Sequence, residues 1–300
     1  MGRCGGLCDL SLPLQFRPGR RQLALGDAHE LAVATFAATC RDDRRQQGER
    51  EPCRSCFHNR SSTPPRSPRR LRAMRVTNIT RYPVKSMRGE ALEAVDVGFT
   101  GLPIDRAFAF VQEGVHSPFP WLTGRECPQL LQCQPVVGEG RWPEMRVITP
   151  EGDFALAAPE FRAKLLEWSG KSASLHSDYR GCQDVAYVSV ISTATIRALT
   201  EAAGVENDHR RFRMNFVVDL GDEPFAENAW CGKQVSIGGA TIAVHEPDRR
   251  CNMITLHPET GESAPAVLKK AGELNNACAG VYCSVLVPGP VALGDRVSLA

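Results

Sequence analysis

Apolar and polar positions alternate along several short stretches after residue 75, a pattern typical of strands with one buried face. In the first half the stretches are 76–83, 92–97, 107–112, 145–149 and 154–157. The last two flank Pro150-Glu151-Gly152, which predicts a hairpin. We therefore expect the fold to begin with a β-rich half.

Two helices are predicted within this succession of strands. Pro159 begins a stretch in which Phe161, Leu165 and Trp168 share one helical face, and Gly170 ends it. The second helix has Ser192 as its N-cap and runs to Gly204.

The remaining apolar runs are predicted strands: 185–191, 215–220, 234–237, 241–245, 281–287 and 297–299. Gly238-Gly239 lies between the third and fourth of these and predicts a two-residue hairpin turn. Many short strands, few helices and no βαβ rhythm predict a mainly β fold, built from β-barrels with one or two covering helices.

Charge divides the chain into unlike segments. Residues 1–73 hold 14 arginines, no lysine and 7 acidic residues, a charge of +7, whereas the 22 basic and 27 acidic residues that follow give −5. We predict that 1–73 is a disordered Arg/Pro-rich extension or a misassigned start, with the fold beginning at Met74. The folded part is predicted to divide into domains at 74–180 and 181–300.

This composition argues against two classes of protein. A mildly acidic fold disfavours nucleic-acid binding, and no apolar run approaches the ~20 residues of a membrane-spanning helix. A cytoplasmic location is expected. A mitochondrial location is the alternative, although the acidic residues of 1–73 disfavour a presequence.

Seven cysteines follow residue 73, and without a secretion signal we expect them to be reduced. Cys251 differs from the others because it follows Arg249-Arg250 and precedes a turn at 257–261. Neighbouring guanidinium groups favour the thiolate, the form that attacks electrophiles or binds metals. From these residues alone, a small buried side chain remains the alternative.

Two cationic clusters are candidate anion sites. Residues 82–89 place Lys85, Ser86 and backbone amides where a strand meets a turn, which suits phosphate. Residues 210–215 bring three arginines before another strand, and Arg106 precedes a third. Solvated charged turns are the alternative, but a candidate metal-binding thiolate in the same chain favours the anion sites.

Several motifs follow one another in order along the chain: Tyr82-Pro83-Val84-Lys85-Ser86, Asp105-Arg106, Arg213-Met214-Asn215, Trp230, Arg250-Cys251 with Pro258-Glu259-Thr260-Gly261, and Gly280-Val281-Tyr282 with Pro288-Gly289. Taken together, they resemble the MOSC-domain proteins (molybdenum cofactor sulfurase C-terminal domain) with their N-terminal β-barrel domain. The resemblance covers essentially all of 74–300. Within the family, the pattern is similar to that of the mitochondrial amidoxime-reducing component and its bacterial counterparts.

The resemblance implies a molybdenum cofactor, with Cys251 as the catalytic residue and metal ligand. It implies that Lys85, Ser86, Arg106 and Arg213 hold the phosphate and ring of the pterin. Asn215, Arg250 and Tyr282 would also contact the cofactor. Residue chemistry agrees in kind, since a soft thiolate suits molybdenum and Lys or Arg suits an anionic tail.

Two positions depart from the family pattern. Met214 stands where proline is usual, and His257 where an acidic residue is usual before the turn. Neither is the implied metal ligand, but His257 would change proton delivery or substrate choice.

The implied function is a molybdenum-dependent oxidoreductase that reduces N-hydroxylated small molecules. Cys278 and Cys283 alone cannot hold an iron–sulfur cluster, so electrons are expected from a separate donor, a ferredoxin-like protein or a flavin and cytochrome reductase chain. The alternative is a non-redox sulfur carrier or cofactor-binding module that uses Cys251 as a persulfide acceptor. Pyridoxal phosphate is not expected, because no desulfurase domain is recognised.

Overall fold

The computed structural model describes residues 73–140 and 144–300, and the predicted disorder or misassignment of 1–73 therefore lies outside the described residues apart from Ala73. The strands in chain order are β1 (Arg75–Arg81), β2 (Glu90–Leu92), β3 (Ala94–Val97), β4 (Phe108–Gln112), β5 (Trp121–Leu122), β6 (Gln134–Val137), β7 (Met145–Thr149), β8 (Gly152–Ala155), β9 (Ala173–Ser177), β10 (Val188–Ser192), β11 (Phe216–Asp219), β12 (Gln234–Ile237), β13 (Ala240–Arg249), β14 (Cys278–Val287), β15 (Gly289–Ala292) and β16 (Val297–Leu299).

Three α-helices accompany these strands: α1 (Pro159–Ser169), α2 (Thr193–Ala203) and α3 (Ala266–Asn275). Short 3₁₀ helices lie at Pro128–Gln132, His209–Phe212, Ala226–Trp230 and Asn252–Thr255. The predicted mainly β class is confirmed, with α3 added to the two predicted helices. None of the helices in 73–140 and 144–300 is long and apolar enough to cross a membrane.

The largest sheet has the strand order β16-β12-β13-β14-β10-β11-β1-β2. It curls until the start of β1 meets the segment before β16. There the Val76 amide donates to the Asp295 carbonyl at 3.0 Å, and the backbones of Arg75 and Arg296 form an isolated antiparallel β-bridge. Its one parallel pair within the described part is β10 with β11, joined through α2. The curled sheet agrees with the predicted barrel, and the β10-α2-β11 unit departs from the expectation of no βαβ element.

Local sequence explains the ends of the helices. The Ser192 side chain accepts a hydrogen bond from the Thr195 amide and so caps α2. Gly170 ends α1 in the left-handed region, at φ 68°. Both boundaries are the predicted ones.

Three apolar cores hold the elements together. One fills the curled sheet around Phe216 and Ile242, and a second joins the small sheets β5-β4-β9 and β6-β7-β8 to α1 through Phe161. The third lies beneath α2 and α3 and includes Phe212, in the 3₁₀ turn before β11. These cores fix the positions of the chain segments that follow β1 and β13 and that precede β11. The proposed domain boundary at residue 180 stays a prediction, although β1 and β2 join the sheet that also contains β10 to β14.

Candidate functional site

One cleft of about 320 Å³ brings together all eight residues that the sequence singled out: Lys85, Ser86, Arg106, Arg213, Asn215, Arg250, Cys251 and Tyr282. They come from chain segments far apart in sequence, at the end of β1, before β4, before β11, after β13 and within β14. Their assembly in one cleft makes a shared ligand geometrically possible. Their individual roles stay predictions.

Three of these residues have an uncommon backbone conformation. Ser86, Arg106 and Arg213 have φ values of 68°, 50° and 55°. A non-glycine residue in this left-handed region costs about 1–3 kcal/mol and persists only where surrounding contacts impose it. Hydrogen bonds provide part of that restraint, since the Arg106 amide donates to the Tyr82 carbonyl at 2.6 Å. Strain is thus concentrated in the segments that form the cleft.

The Tyr82 ring contacts two guanidinium groups. The Cζ atoms of Arg106 and Arg213 lie 4.9 Å and 4.4 Å from the centre of its ring, within the range of cation–π attraction. The Arg106 guanidinium also donates to the Arg213 carbonyl at 2.8 Å. Contacts with Tyr82 and with each other therefore help to position both arginines.

Asp105 connects this group to the sheet. Its buried carboxylate accepts hydrogen bonds from the Tyr82 amide at 2.7 Å, from the Asn215 side-chain amide at 3.1 Å and from the Arg106 guanidinium. The Asn215 side-chain oxygen accepts from the amide and hydroxyl of Ser189. The Asn215 amide is thus engaged within the protein, and this side chain supports the cleft wall.

Arg213 is a half-buried cation of the cleft. It donates to the Met87 carbonyl at 2.8 Å and has no ion-pair partner within the described ranges. Burial lowers its pKa to about 10, with attraction to Tyr82 opposing the shift and repulsion from Arg106 adding to it. At neutral pH the side chain is still charged, so an anion would relieve an uncompensated positive charge.

Unlike Arg213, Lys85 has a carboxylate as an ion-pair partner. Its ammonium group pairs with Asp184 and donates to the Cys182 carbonyl at 2.9 Å. It lies 5.5 Å from the centre of the Phe119 ring. Burial lowers the pKa of Lys85, while Asp184 acts to raise it. Asp184 is half-exposed and could release the lysine to a bound anion.

Arg250 is oriented by its neighbours at the end of β13. It pairs with buried Asp248, donates to the Phe212 carbonyl and contacts the Met214 sulfur at 3.4 Å. Its Nε is buried and has no hydrogen-bond partner among the described residues. This unpartnered donor lies in a residue that lines the cleft.

Tyr282 shares the Asp248 carboxylate with Arg250. Burial raises the pKa of Asp248, whereas Arg250 and the hydrogen bond with Tyr282 lower it. Burial and the adjacent Asp248 charge raise the pKa of the Tyr282 hydroxyl. Tyr282 is therefore a neutral hydrogen-bond donor across the physiological pH range.

Cys251 is the exposed one of the seven cysteines in the described part of the chain. All seven are free thiols. Burial raises the pKa of Cys127 and Cys182 to about 11 and that of Cys133 to about 12. These thiols stay protonated at neutral pH and are shielded from reagents. Access, as well as chemical setting, therefore distinguishes Cys251.

Two family models together match most of residues 73–298. A MOSC N-terminal beta barrel domain matches residues 73–173, and a MOSC domain matches residues 178–298. The chain belongs to the MOSC-domain family.

Curated relatives of this MOSC protein are molybdenum cofactor sulfurases of fruit flies. The sulfurase of Drosophila mojavensis is 30% identical over 110 residues, which is 36% of this chain and 13% of the relative. That of Drosophila erecta is 28% identical over 128 residues, 42% of this chain and 16% of the relative. The match thus spans about one seventh of the length of these relatives.

Among solved structures, the YuaD protein of Bacillus subtilis matches with a TM-score of 0.41 and 13% identity, over 75% of this chain and 94% of its own. YiiM of Geobacillus stearothermophilus matches with a TM-score of 0.32 and 16% identity, over 38% of this chain and 54% of its own.

The described side chains of this MOSC protein do not form a metal site by themselves. In 73–140 and 144–300, no three His, Cys, Asp or Glu side chains cluster closely enough to hold an ion. A metal bound through Cys251 would therefore need most of its ligands from a non-protein group. The cleft offers cations and donors for such a group.

The two departures from the family pattern have structural explanations. Met214 is buried, and its sulfur contacts Arg250. The His257 Nδ1 accepts hydrogen bonds from the amides of Glu259 and Thr260, at 3.2 Å and 3.3 Å, as a carboxylate would at a turn. His257 does not line the cleft, so the expected effect on proton delivery would have to act indirectly.

Several cleft residues were not predicted. They are Phe119, Thr123, Arg125, Gln183, Asp184, Val185, Ala186, Ser189, Phe212, Asp248, Arg249 and Met253. Arg125 stacks on Phe119, with its Cζ 4.9 Å from the ring centre. Both belong to loops around β5, which no periodicity identifies. Arg249 and Phe212 lie within sequence clusters described above, and Asp248 directly precedes Arg249-Arg250.

Proposed function

We propose that the cleft binds the molybdenum cofactor, with the Cys251 thiolate as the protein's ligand to the metal. The observation that carries this proposal is the exposed thiol of Cys251 in a cleft lined by Lys85, Arg106, Arg213 and Arg250. A soft thiolate suits molybdenum, and clustered guanidinium groups suit phosphate.

The described residues fit such a group. Its dithiolene would supply the ligands that the protein lacks around Cys251. Its phosphate would compensate Arg213, which is half-buried and has no ion-pair partner in the described structure. The free Nε of Arg250 is a further donor for it.

We assign the residues of the cleft as follows. Lys85, Ser86, Arg106 and Arg213 hold the phosphate and pterin, with Asp105 and Asn215 keeping the arginines in place. Tyr282 lines the site as a neutral phenol whose hydroxyl donates to Asp248, and Asp248 orients Arg250. When bound, the molybdenum centre supplies two-electron redox chemistry that amino acids cannot perform.

Metal content of the purified full chain tests the ligand assignment. The protein should be produced in a host that makes the cofactor, as wild type, Cys251→Ala and Cys231→Ala. We expect molybdenum in the wild type and in the Cys231 control, and its loss from Cys251→Ala. Full molybdenum loading in Cys251→Ala would exclude Cys251 as the ligand.

For the reaction, we propose reduction of N-hydroxylated small molecules with electrons from a separate protein. The support is the resemblance of the motifs to the amidoxime-reducing proteins, together with a cleft that opens at Cys251. Benzamidoxime reduction, driven by a chemical reductant, measures this activity directly. Activity that depends on Cys251 supports the proposal, and loaded protein without activity contradicts it.

Sulfur transfer is the second candidate, and the similarity to molybdenum cofactor sulfurases favours it. In this reaction the Cys251 thiolate attacks the outer sulfur of a donor persulfide, and the donor leaves as a thiolate while Cys251 becomes a persulfide. Mass spectrometry after incubation with a persulfide donor tests it. A persulfide on Cys251, without molybdenum and without reductase activity, would select this function.

A further inference from the structure

A second cavity of about 230 Å³ lies beside the cleft. Arg213 and Met253 line both spaces, whereas Tyr82 lines the second cavity alone. The second cavity is bounded by β1, β2 and the 3₁₀ turn His209–Phe212. It does not contain Cys251.

The charges around this cavity have one sign. Four arginines line it, Arg88, Arg210, Arg211 and Arg213, and no Asp or Glu of the described chain does. Arg210 is neutralised by pairing with Asp208 and Glu259. The other three have no ion pair to a carboxylate within 73–140 and 144–300.

Arg211 and Tyr82 also have unused donors. The Arg211 side chain is only 3% exposed, and its NH1 donates to the carbonyls of Ile254 and Thr255, but its Nε has no partner in the described structure. Tyr82 is 2% exposed, and its hydroxyl likewise has no hydrogen-bond partner among the described residues. A buried guanidinium nitrogen or hydroxyl that lacks a hydrogen-bond partner is destabilising, because it has lost its contact with water and gained no other partner. Both residues line the cavity, and an oxyanion is the kind of ligand that such free donors favour.

Much of the remaining lining is apolar, beside the polar side chains of Asn78, Thr80, Gln134 and His209. Ile79, Leu92, Leu131, Leu256 and Leu293 contribute hydrocarbon surface. A free inorganic anion would leave this surface against water, whereas an organic body would cover it.

We propose that this cavity binds a small organic carboxylate, whose charged end meets Arg88, Arg211 and the Tyr82 hydroxyl and whose apolar body fills the space between the leucines. The proposal needs neither the cofactor nor Cys251, so it stands or falls separately from the function of the cleft.

Calorimetric titration of the full chain with benzoate tests this site, with benzamide as the uncharged analogue of the same shape. We expect benzoate to bind and benzamide to bind at least tenfold more weakly, because benzamide lacks the charge that the arginines attract. Inorganic phosphate should bind more weakly than benzoate. Equal binding of benzamide would overturn the role of the arginines, and equal binding of phosphate would overturn the role of the apolar wall.

Two variants locate the bound benzoate. Leu92→Trp fills the cavity, and Leu166→Trp, on an exposed position of α1, is its matched control. Arg88→Gln removes a half-buried charge, and Arg146→Gln removes an exposed one elsewhere. We expect at least a tenfold loss of benzoate affinity in Leu92→Trp and Arg88→Gln, and wild-type affinity in both controls. Wild-type affinity in a folded Leu92→Trp would place benzoate elsewhere and refute the proposal.

Discussion

Replacing Asp105 by Asn perturbs the buried connection between the sheet and the arginines of the cleft. The carboxylate accepts from the Tyr82 amide, the Asn215 side chain and Arg106. An Asn side chain offers one acceptor oxygen and places an NH₂ group where the other carboxylate oxygen stood. At least one donor would then face another donor, and Arg106 would lose its counter-charge.

The expected cost follows from this geometry. Asp105 is 3% exposed and the Arg106 side chain 16%, so water compensates little for the lost charge. Breaking a buried ion pair by removing one partner costs about 3–5 kcal/mol. For a urea dependence of about 2–3 kcal/mol per molar, the midpoint of unfolding should fall by about 1–2.5 M.

Urea unfolding followed by circular dichroism measures this shift. Asp153→Asn is the matched control, since Asp153 pairs with Arg146 and both side chains are about half exposed. That control should change little, because exposed ion pairs are screened by solvent. A similar, small midpoint shift in both variants would refute the view that Asp105 holds the cleft together.

Three further outcomes are expected. Gly280→Ala should reduce the free energy of unfolding by at least about 2 kcal/mol, since φ is 81° and the new Cβ would lie 2.7 Å from the Val190 carbonyl oxygen. Gly170→Ala, at φ 68° in open space, should reduce the free energy of unfolding by only about 1 kcal/mol. Equal reductions in the two variants would show that the close contact at Gly280 adds nothing to the backbone strain. Burial raises the pKa of Cys133 to about 12, so on raising the pH the unfolded state loses the thiol proton before the folded state does. The free energy of unfolding should therefore fall as the pH rises from about 9 to 12, by up to ~1.4 kcal/mol per pH unit. Unfolding at several pH values should show a shallower fall in Cys133→Ala, and an unchanged slope would contradict the assignment. In alkylation at pH 8 with peptide mapping, Cys251 should be labelled before Cys133, and the reverse order would contradict the burial pattern.

Local features of the chain were predictable because their physical causes are local. Alternation of apolar residues identified β1, β4 and the β7-β8 hairpin, and Ser192 and Gly170 marked helix ends by capping. The α3 helix was missed, since Gly272 interrupts a short apolar pattern.

The types of chemical group in the cleft were predictable from the sequence. Lys85, Arg106 and Arg213 indicate an anion site by their charge, and Cys251 indicates a thiolate. Their meeting in one space depends on the curled sheet, which brings distant strand ends together. Periodicity carries no information on such long-range pairing.

Other features exist only in the tertiary structure. The left-handed backbone at Ser86, Arg106 and Arg213 is imposed by contacts that no local propensity favours. The burial that distinguishes Cys251 from Cys133, and that leaves Arg211 without a counter-charge in the described chain, likewise comes from packing between segments distant in sequence. The sequence by itself determined which side chains are available, and packing decided which of them are charged, accessible and close enough to act together, because desolvation and distance depend on the whole fold.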